Sequence, residues 1–163
     1  LKTVFYRVDE KFIHAQLVYG WLPFLEAKRL IGVSRNIAHN PNYIQLNLQA
    51  LPPGIIGSIL TPEEAAKSEF CNYEVDRVVV LFYSLSDVLE YCKAGCKIHN
   101  LNLGGIYSVP GRKKYLPYIY LSDKEIEMLK ELRSYCANIY CQDTPHSEQL
   151  TLDDLLKIGS RKY

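Results

Sequence analysis

Long apolar runs are missing from this chain. No uninterrupted apolar stretch reaches the roughly 20 residues of a membrane-spanning helix, and Lys2, Arg7, Asp9, Glu10 and Lys11 fall where a secretory leader would be apolar. Net charge is missing too. The 19 lysines and arginines against 18 aspartates and glutamates leave a formal +1, too little for the diffuse basic footprint of a nucleic-acid binder. The chain is therefore expected to be cytoplasmic, without a nucleic-acid partner, and with any electrostatic function local. Neither GxGxxG nor GxxxxGK[ST] occurs, which argues against a dinucleotide site and against ATP as a direct phosphoryl donor. Cysteines are few and odd in number: Cys71, Cys92, Cys96, Cys136 and Cys141 are scattered through regular patterns, as reduced thiols rather than a disulfide framework. Cys92 and Cys96 lack a second ligand pair at zinc-type spacing, and Gly95 between them reads as a helix stop, so neither metal nor other cofactor is expected. With no low-complexity linker, 163 residues fit one domain spanning 1–163.

What is present alternates. Short β-rich runs lie at 3–8 (TVFYRV), 29–34 (RLIGVS), 54–60 (GIIGSIL), 77–83 (RVVVLFY), 97–103 (KIHNLNL) and 137–141 (ANIYC), with a further short one at 118–121 (YIYL). Most are continuously apolar, as expected of strands covered on both faces. Between them lie segments of helical period beginning at 16–25, 40–51, 61–70, 84–95 and 122–135, with a short last helix at 151–158. Their punctuation is specific. Thr61, Pro62 and Glu64 form an N-terminal signature, Ser122 and Glu125 a capping box, Ser84 or Ser86 a cap, and Pro52 and Pro53 a stop. The fold expected is α/β: an open, doubly wound, mostly parallel sheet of about six or seven strands with helices on both faces. Ligands collect at the carboxyl ends of such strands.

That rule points to RVDEKFIHAQ, residues 7–16, the loop between the first strand and the first helix. His14 is expected at the helix N-terminus, where free amides and the helix dipole favour an anion, with Arg7 and Lys11 as nearby cations. A neutral imidazole is a competent nucleophile, and a phosphoryl group on it would be held by these donors. The arrangement suits phosphoryl transfer.

The same residues resemble a family signature, R-[IV]-D-[DE]-R-[LF]-I-H-G-Q-V, of the IIB components of the mannose/fructose/sorbose family of the bacterial sugar phosphotransferase system. Trp21, LPPGI (51–55), SDVLEYCKAGCKIHNLNLGGI (86–106) and LSDKEIEMLKEL (121–132) resemble further family blocks in collinear order over nearly the whole chain. The resemblance implies a phosphocarrier that accepts a phosphoryl group from a IIA phosphohistidine onto His14, at Nδ1, and passes it to a sugar at the membrane IIC and IID subunits. It implies association with the inner membrane face through those subunits and leaves room for a homodimer. Arg7 and Lys11 would stabilise the transferring group and Asp9 would orient the loop or the imidazole. Ala15, Gln16, Ser34, Arg35, Gly104 and Gly105 are the expected phosphate-binding positions; the two glycines suit either close backbone approach or a turn.

Three departures stand out. Lys11 replaces an arginine and loses the planar fork. Ala15 replaces a glycine, which matters if that backbone needs positive φ or a very close approach to phosphate. Ser34 and Arg35 stand where many relatives carry Asn-Asp, and Arg35 is a candidate for the donor that Lys11 lacks. These departures motivate a second reading, a partner-binding or regulatory paralogue with weak or no phosphotransfer. A third, nucleotide binding at the sheet's switch point, rests on fold analogy alone. Of the remaining candidates, His39 and His146 are expected in solvent, His99 buried in a strand, 111–114 (GRKK) a solvated basic loop, and Tyr115, Tyr118 and Tyr120 interface anchors.

Overall fold

The computed structural model describes residues 4–68 and 77–161; Cys71 and the end of the 61–70 segment lie outside them. In chain order the strands are β1 (Val4–Asp9), β2 (Arg29–Val33), β3 (Ile56–Leu60), β4 (Val78–Phe82), β5 (Ile98–Gly105), β6 (Lys113–Leu116), β7 (Ile119–Leu121), β8 (Cys136–Cys141) and β9 (Leu150–Thr151). The helices are α1 (Leu22–Phe24), entered through a π-helical segment Leu17–Trp21, then α2 (Arg35–Ala38), α3 (Pro41–Leu48), α4 (Pro62–Lys67), α5 (Leu85–Lys93), α6 (Asp123–Leu132) and α7 (Leu152–Arg161).

The main sheet runs β3-β2-β4-β1-β5-β8-β9, parallel except for the last pair. Strand alternation divides its side chains between two faces. Val8, Val33, Val80, Phe82, Leu101 and Leu103 pack under α4, α5 and α6, whereas Leu30, Val79 and Leu81 pack under the first helical segment through Phe12, Leu17 and Trp21. The open, mostly parallel sheet with helices on both faces is thus the expected architecture. Capping follows the expected chemistry: Thr61–Glu64 and Ser122–Glu125 are reciprocal boxes, and Ser84 accepts from the Asp87 amide.

Several elements differ from expectation, each for a physical reason. The 118–121 run is not in the main sheet; it closes an antiparallel hairpin with β6, and β9 supplies the seventh strand instead. The first helix widens to a π turn because Pro23 has no N–H to donate back to Tyr19, and Leu22 N–H reaches Leu17 O instead. His99 lies on the exposed part of β5 rather than in the core. The 111–114 run is solvent-exposed as expected except at Arg112, which is ion-paired, but it is not all loop: Lys113 and Lys114 enter β6. Tyr115 is buried, its ring filling the space that Gly159 leaves in α7, so it anchors no interface.

One glycine is needed to seat the turn after β1. A Cβ on Gly32 would stand 2.7 Å from Phe12 Cζ, and the Phe12 ring is buried there edge-on to Tyr83. Gly32→Ala should therefore destabilise the protein by about 1–3 kcal/mol through overpacking. Urea denaturation with an unchanged m-value checks this.

Candidate functional site

Strand β1 is central, and the chain leaves it on one face toward β2 while β5 sends its crossover over the other face toward β8. The carboxyl ends of β1 and β5 therefore bound a switch-point crevice. Their register shifts there: Val8 pairs with Leu103 but Asp9 with Gly105, so Gly104 is the extra residue of a β-bulge. Bulges re-aim neighbouring side chains.

The side chain re-aimed is Arg7. Its guanidinium is fully buried and fills the space a Cβ on Gly104 would occupy. Nη1 donates to Asn102 Oδ1 (2.6 Å) and to the Gln142 carbonyl (3.0 Å); Nη2 donates to Asp9 Oδ2 (3.1 Å) and to the Asp143 carbonyl (3.0 Å). The Trp21 ring lies over it at 4.9 Å and itself donates to the Asp143 carbonyl. Burial holds the guanidinium below the ordinary arginine range, and Asp9 pulls it partly back. Nε has no acceptor among the described residues. Both terminal nitrogens are occupied by protein oxygens, so Arg7 is placed to hold Asp9 and the end of β8 rather than to reach into the crevice as a phosphate ligand.

Asp9 in turn holds the turn. Its Oδ1 accepts from the Lys11 amide (3.0 Å) and its Oδ2 takes His14 Nε2 at 3.1 Å. Phe12 adopts φ 59°, a strained value for a bulky residue, maintained because its ring is pinned in the core and its amide donates to Asp9 O. The positive φ falls at Phe12 and not at Ala15, so the alanine brings no backbone penalty.

His14 is 19% exposed and caps the helix: its carbonyl accepts from Val18 N–H, leaving the Ala15 and Gln16 amides before the first intrahelical bond. Gln16 N–H points to His14 Nδ1 at 3.3 Å. The two ring partners select one tautomer. An ionised carboxylate only accepts and a backbone amide only donates, so Nε2 carries the proton and Nδ1 the lone pair. The lone pair faces the positive end of the helix.

A second network closes over the turn from the segment after β5. Glu10 accepts from Arg112 Nη1 (2.6 Å) and the Tyr107 amide (3.0 Å), and Glu10 N–H donates to Gly105 O. Arg112 also grips both oxygens of Glu125 at 2.8 Å. Glu125 thus caps α6 and anchors Arg112 at once; burial alone would raise its pKa, but Arg112 and Ser122 bring it below the ordinary value.

Of the residues expected from sequence, Arg7, Asp9, His14, Gln16, Gly104 and Gly105 converge on this crevice, with Lys11 and Ala15 at its rim. The glycines lie within β5, not in a turn; Gly104 makes room for Arg7, and Gly105 for Tyr107 and Asp9. Ser34 and Arg35 are corrected. Ser34 is buried as the cap of α2 and accepts from the Ile37 amide, and the Arg35 guanidinium is taken by Glu63 and by Glu90 (2.8 Å). Arg35 therefore does not supply the donor that Lys11 lacks. Asn102, Gln142, Asp143, Phe12, Tyr107 and Arg112 were missed as site residues. Asn102 had a legible signal, a polar side chain within an otherwise apolar strand run. Among the described residues no group of three or more His, Cys, Asp or Glu is arranged to hold a metal.

The model for the sorbose-subfamily IIB component of the phosphotransferase system matches residues 3–162. The sorbose-specific EIIB component of Klebsiella pneumoniae is 30% identical over 127 residues, 77% of either chain. The mannose-specific EIIAB component of Escherichia coli K12 is 25% identical over 151 residues, and the chain spans 47% of its length. The crystal structure of the IIBSor domain of the sorbose permease from Klebsiella pneumoniae superposes with a TM-score of 0.84 at 24% identity, over 96% of this chain and 97% of that one.

Two outcomes are expected. Gly104→Ala displaces the Arg7 guanidinium and leaves Asp9 buried without it, costing about 3 kcal/mol or more; chemical denaturation measures the loss. Because the Glu125 pKa is depressed in the fold, the stability it contributes is present above the ordinary value of 4.5 and lost as pH falls through the folded value. Glu125→Gln should flatten that acid limb, read from thermal melts across pH.

Proposed function

The chain belongs to the sorbose-subfamily IIB components of the sugar phosphotransferase system, and we propose on that premise that His14 Nδ1 is the atom that carries the phosphoryl group. Membership makes the chain a phosphocarrier whose partners are a IIA donor, the IIC and IID membrane subunits and a sugar. No helix among the described residues is long and apolar enough to cross a membrane, so attachment to the inner membrane face would come through IIC and IID.

One observation carries the assignment. His14 is bonded through Nε2 to a buried carboxylate and through Nδ1 to a helix-terminal amide, which leaves the nucleophilic lone pair on Nδ1. That lone pair attacks the phosphorus of a IIA phosphohistidine. The new Nδ1–P bond forms as the donor's N–P bond breaks, and the bonding electron pair returns to the donor imidazole. Asp9 stabilises the cationic ring through Nε2–H, while the Ala15 and Gln16 amides receive the phosphoryl oxygens, a helix-end contact contributing about 0.3–2 kcal/mol. In the second step a sugar hydroxyl oxygen attacks the phosphorus and gives up its proton to water, the new O–P bond forms as the Nδ1–P bond breaks, and that electron pair returns to His14, leaving the ring neutral. Two of the departures that motivate the regulatory reading carry less weight: Ala15 has no positive φ, and Ser34 and Arg35 are engaged within the fold.

Incubation with phosphorylated IIA should give acid-labile, base-stable label that His14→Ala abolishes, with 31P NMR locating it on Nδ1. Asp9→Asn, which removes the acceptor-only partner of Nε2, should slow labelling by about tenfold or more, the factor carried by about 1.4 kcal/mol of lost orientation. Label on Nε2, or label surviving His14→Ala, would overturn the assignment.

A further inference from the structure

Lys11 is the one cation of this site whose charged end is not tied to a carboxylate among the described residues. Arg7 is paired with Asp9, and Arg112 with Glu10 and Glu125. Lys11 Nζ instead lies 4.6 Å from the centroid of the Tyr107 ring. The two neighbouring carboxylates are already engaged, Asp9 by Arg7, His14 and the Lys11 amide, and Glu10 by Arg112 and the Tyr107 amide.

Tyr107 is itself fixed at three points. Its amide donates to Glu10 Oε1 at 3.0 Å, its carbonyl accepts from Arg112 at 2.7 Å, and its hydroxyl lies against Gly105 where only a glycine leaves room, beside Asp9. Burial first, and Asp9 second, push the hydroxyl up to about 12, so the ring remains a neutral phenol at cellular pH. The aromatic face is therefore a stationary, uncharged partner for the ammonium. Such a face attracts a cation less strongly than a hydrogen bond to an ionised oxygen does. A cation held this way is close to the turn yet free to leave for a stronger partner.

We propose that Tyr107 is a positioning residue that parks the Lys11 ammonium while His14 is empty and gives it up to the phosphoryl group once His14 is loaded. This rests on the reading of His14 as the phosphoryl acceptor. The exchange makes and breaks only non-covalent contacts. A lysine suits it because its charge is compact and its stem flexible, whereas an arginine fork would compete for the Glu10 and Asp9 oxygens at two points.

NMR of the full chain tests the exchange. Ring currents should shift the Lys11 ε-methylene protons upfield in the empty protein. Loading with phosphoramidate, confirmed as phosphohistidine by 31P NMR and absent in His14→Ala, should return them to ordinary lysine positions. Tyr107→Phe should behave as the parent, and Tyr107→Leu should show unshifted Lys11 protons throughout and accept phosphate about threefold more slowly. Lys11 protons that are unshifted at the start, or that stay shifted after confirmed loading, would overturn the proposal while leaving His14 as acceptor. Failure of His14 to load would instead overturn the acceptor reading, and the hand-over with it.

Discussion

The buried pair between Arg7 and Asp9 is the constraint from which the site follows. Both side chains are fully inaccessible, and removing two charges from water costs several kcal/mol per ion before their attraction returns anything. Arg7 offsets the cost with four hydrogen bonds to oxygens of β1, β5 and the end of β8, together with the face of Trp21. A lysine has neither the planar fork nor enough donors in the right directions to do this. The bulge at Gly104 is the backbone adjustment that admits the guanidinium, and it falls where the parallel register of β1 and β5 breaks.

From that pair, order passes outward one bond at a time. Arg7 fixes Asp9 Oδ2, Asp9 fixes the His14 ring and the Lys11 amide, and the ring's far nitrogen meets Gln16 N–H. Each link is a single ordinary hydrogen bond, but the first is anchored inside the core. The strained φ of Phe12 is sustained in the same way, by a ring wedged over Gly32. The imidazole therefore keeps one tautomer and one direction while remaining partly open to solvent. With His14 as the proposed acceptor, preorganisation of this kind spares the reaction from reordering dipoles when charge appears on the phosphoryl group.

The charged decapeptide and its placement after the first strand were legible in the sequence, as were the sheet class and the capped helices, because each rests on local pattern. What stayed hidden depends on residues far apart in the chain. Arg7 meets carbonyls 135 and 136 positions away, so its burial could not be told from availability to phosphate. Arg35 looked like a free donor until Glu63 and Glu90, 28 and 55 positions on, were brought beside it. The ring beside Lys11 was hidden for the same reason, since Tyr107 follows the end of β5.

The cations of the site thus divide between fixed and movable, and the division matters for a carrier. A group that binds its phosphoryl cargo with several fully preorganised cations would load readily and unload poorly, since every contact that stabilises the loaded state must be surrendered to the sugar. Here the strongest cation is neutralised by Asp9 and bonded to backbone, and Arg112 is committed to two carboxylates. On the proposed reading, what faces the cargo is then a helix terminus worth a modest amount and one ammonium with an alternative resting place. On that reading the pocket grips the phosphoryl group only modestly, which suits transfer between two partners.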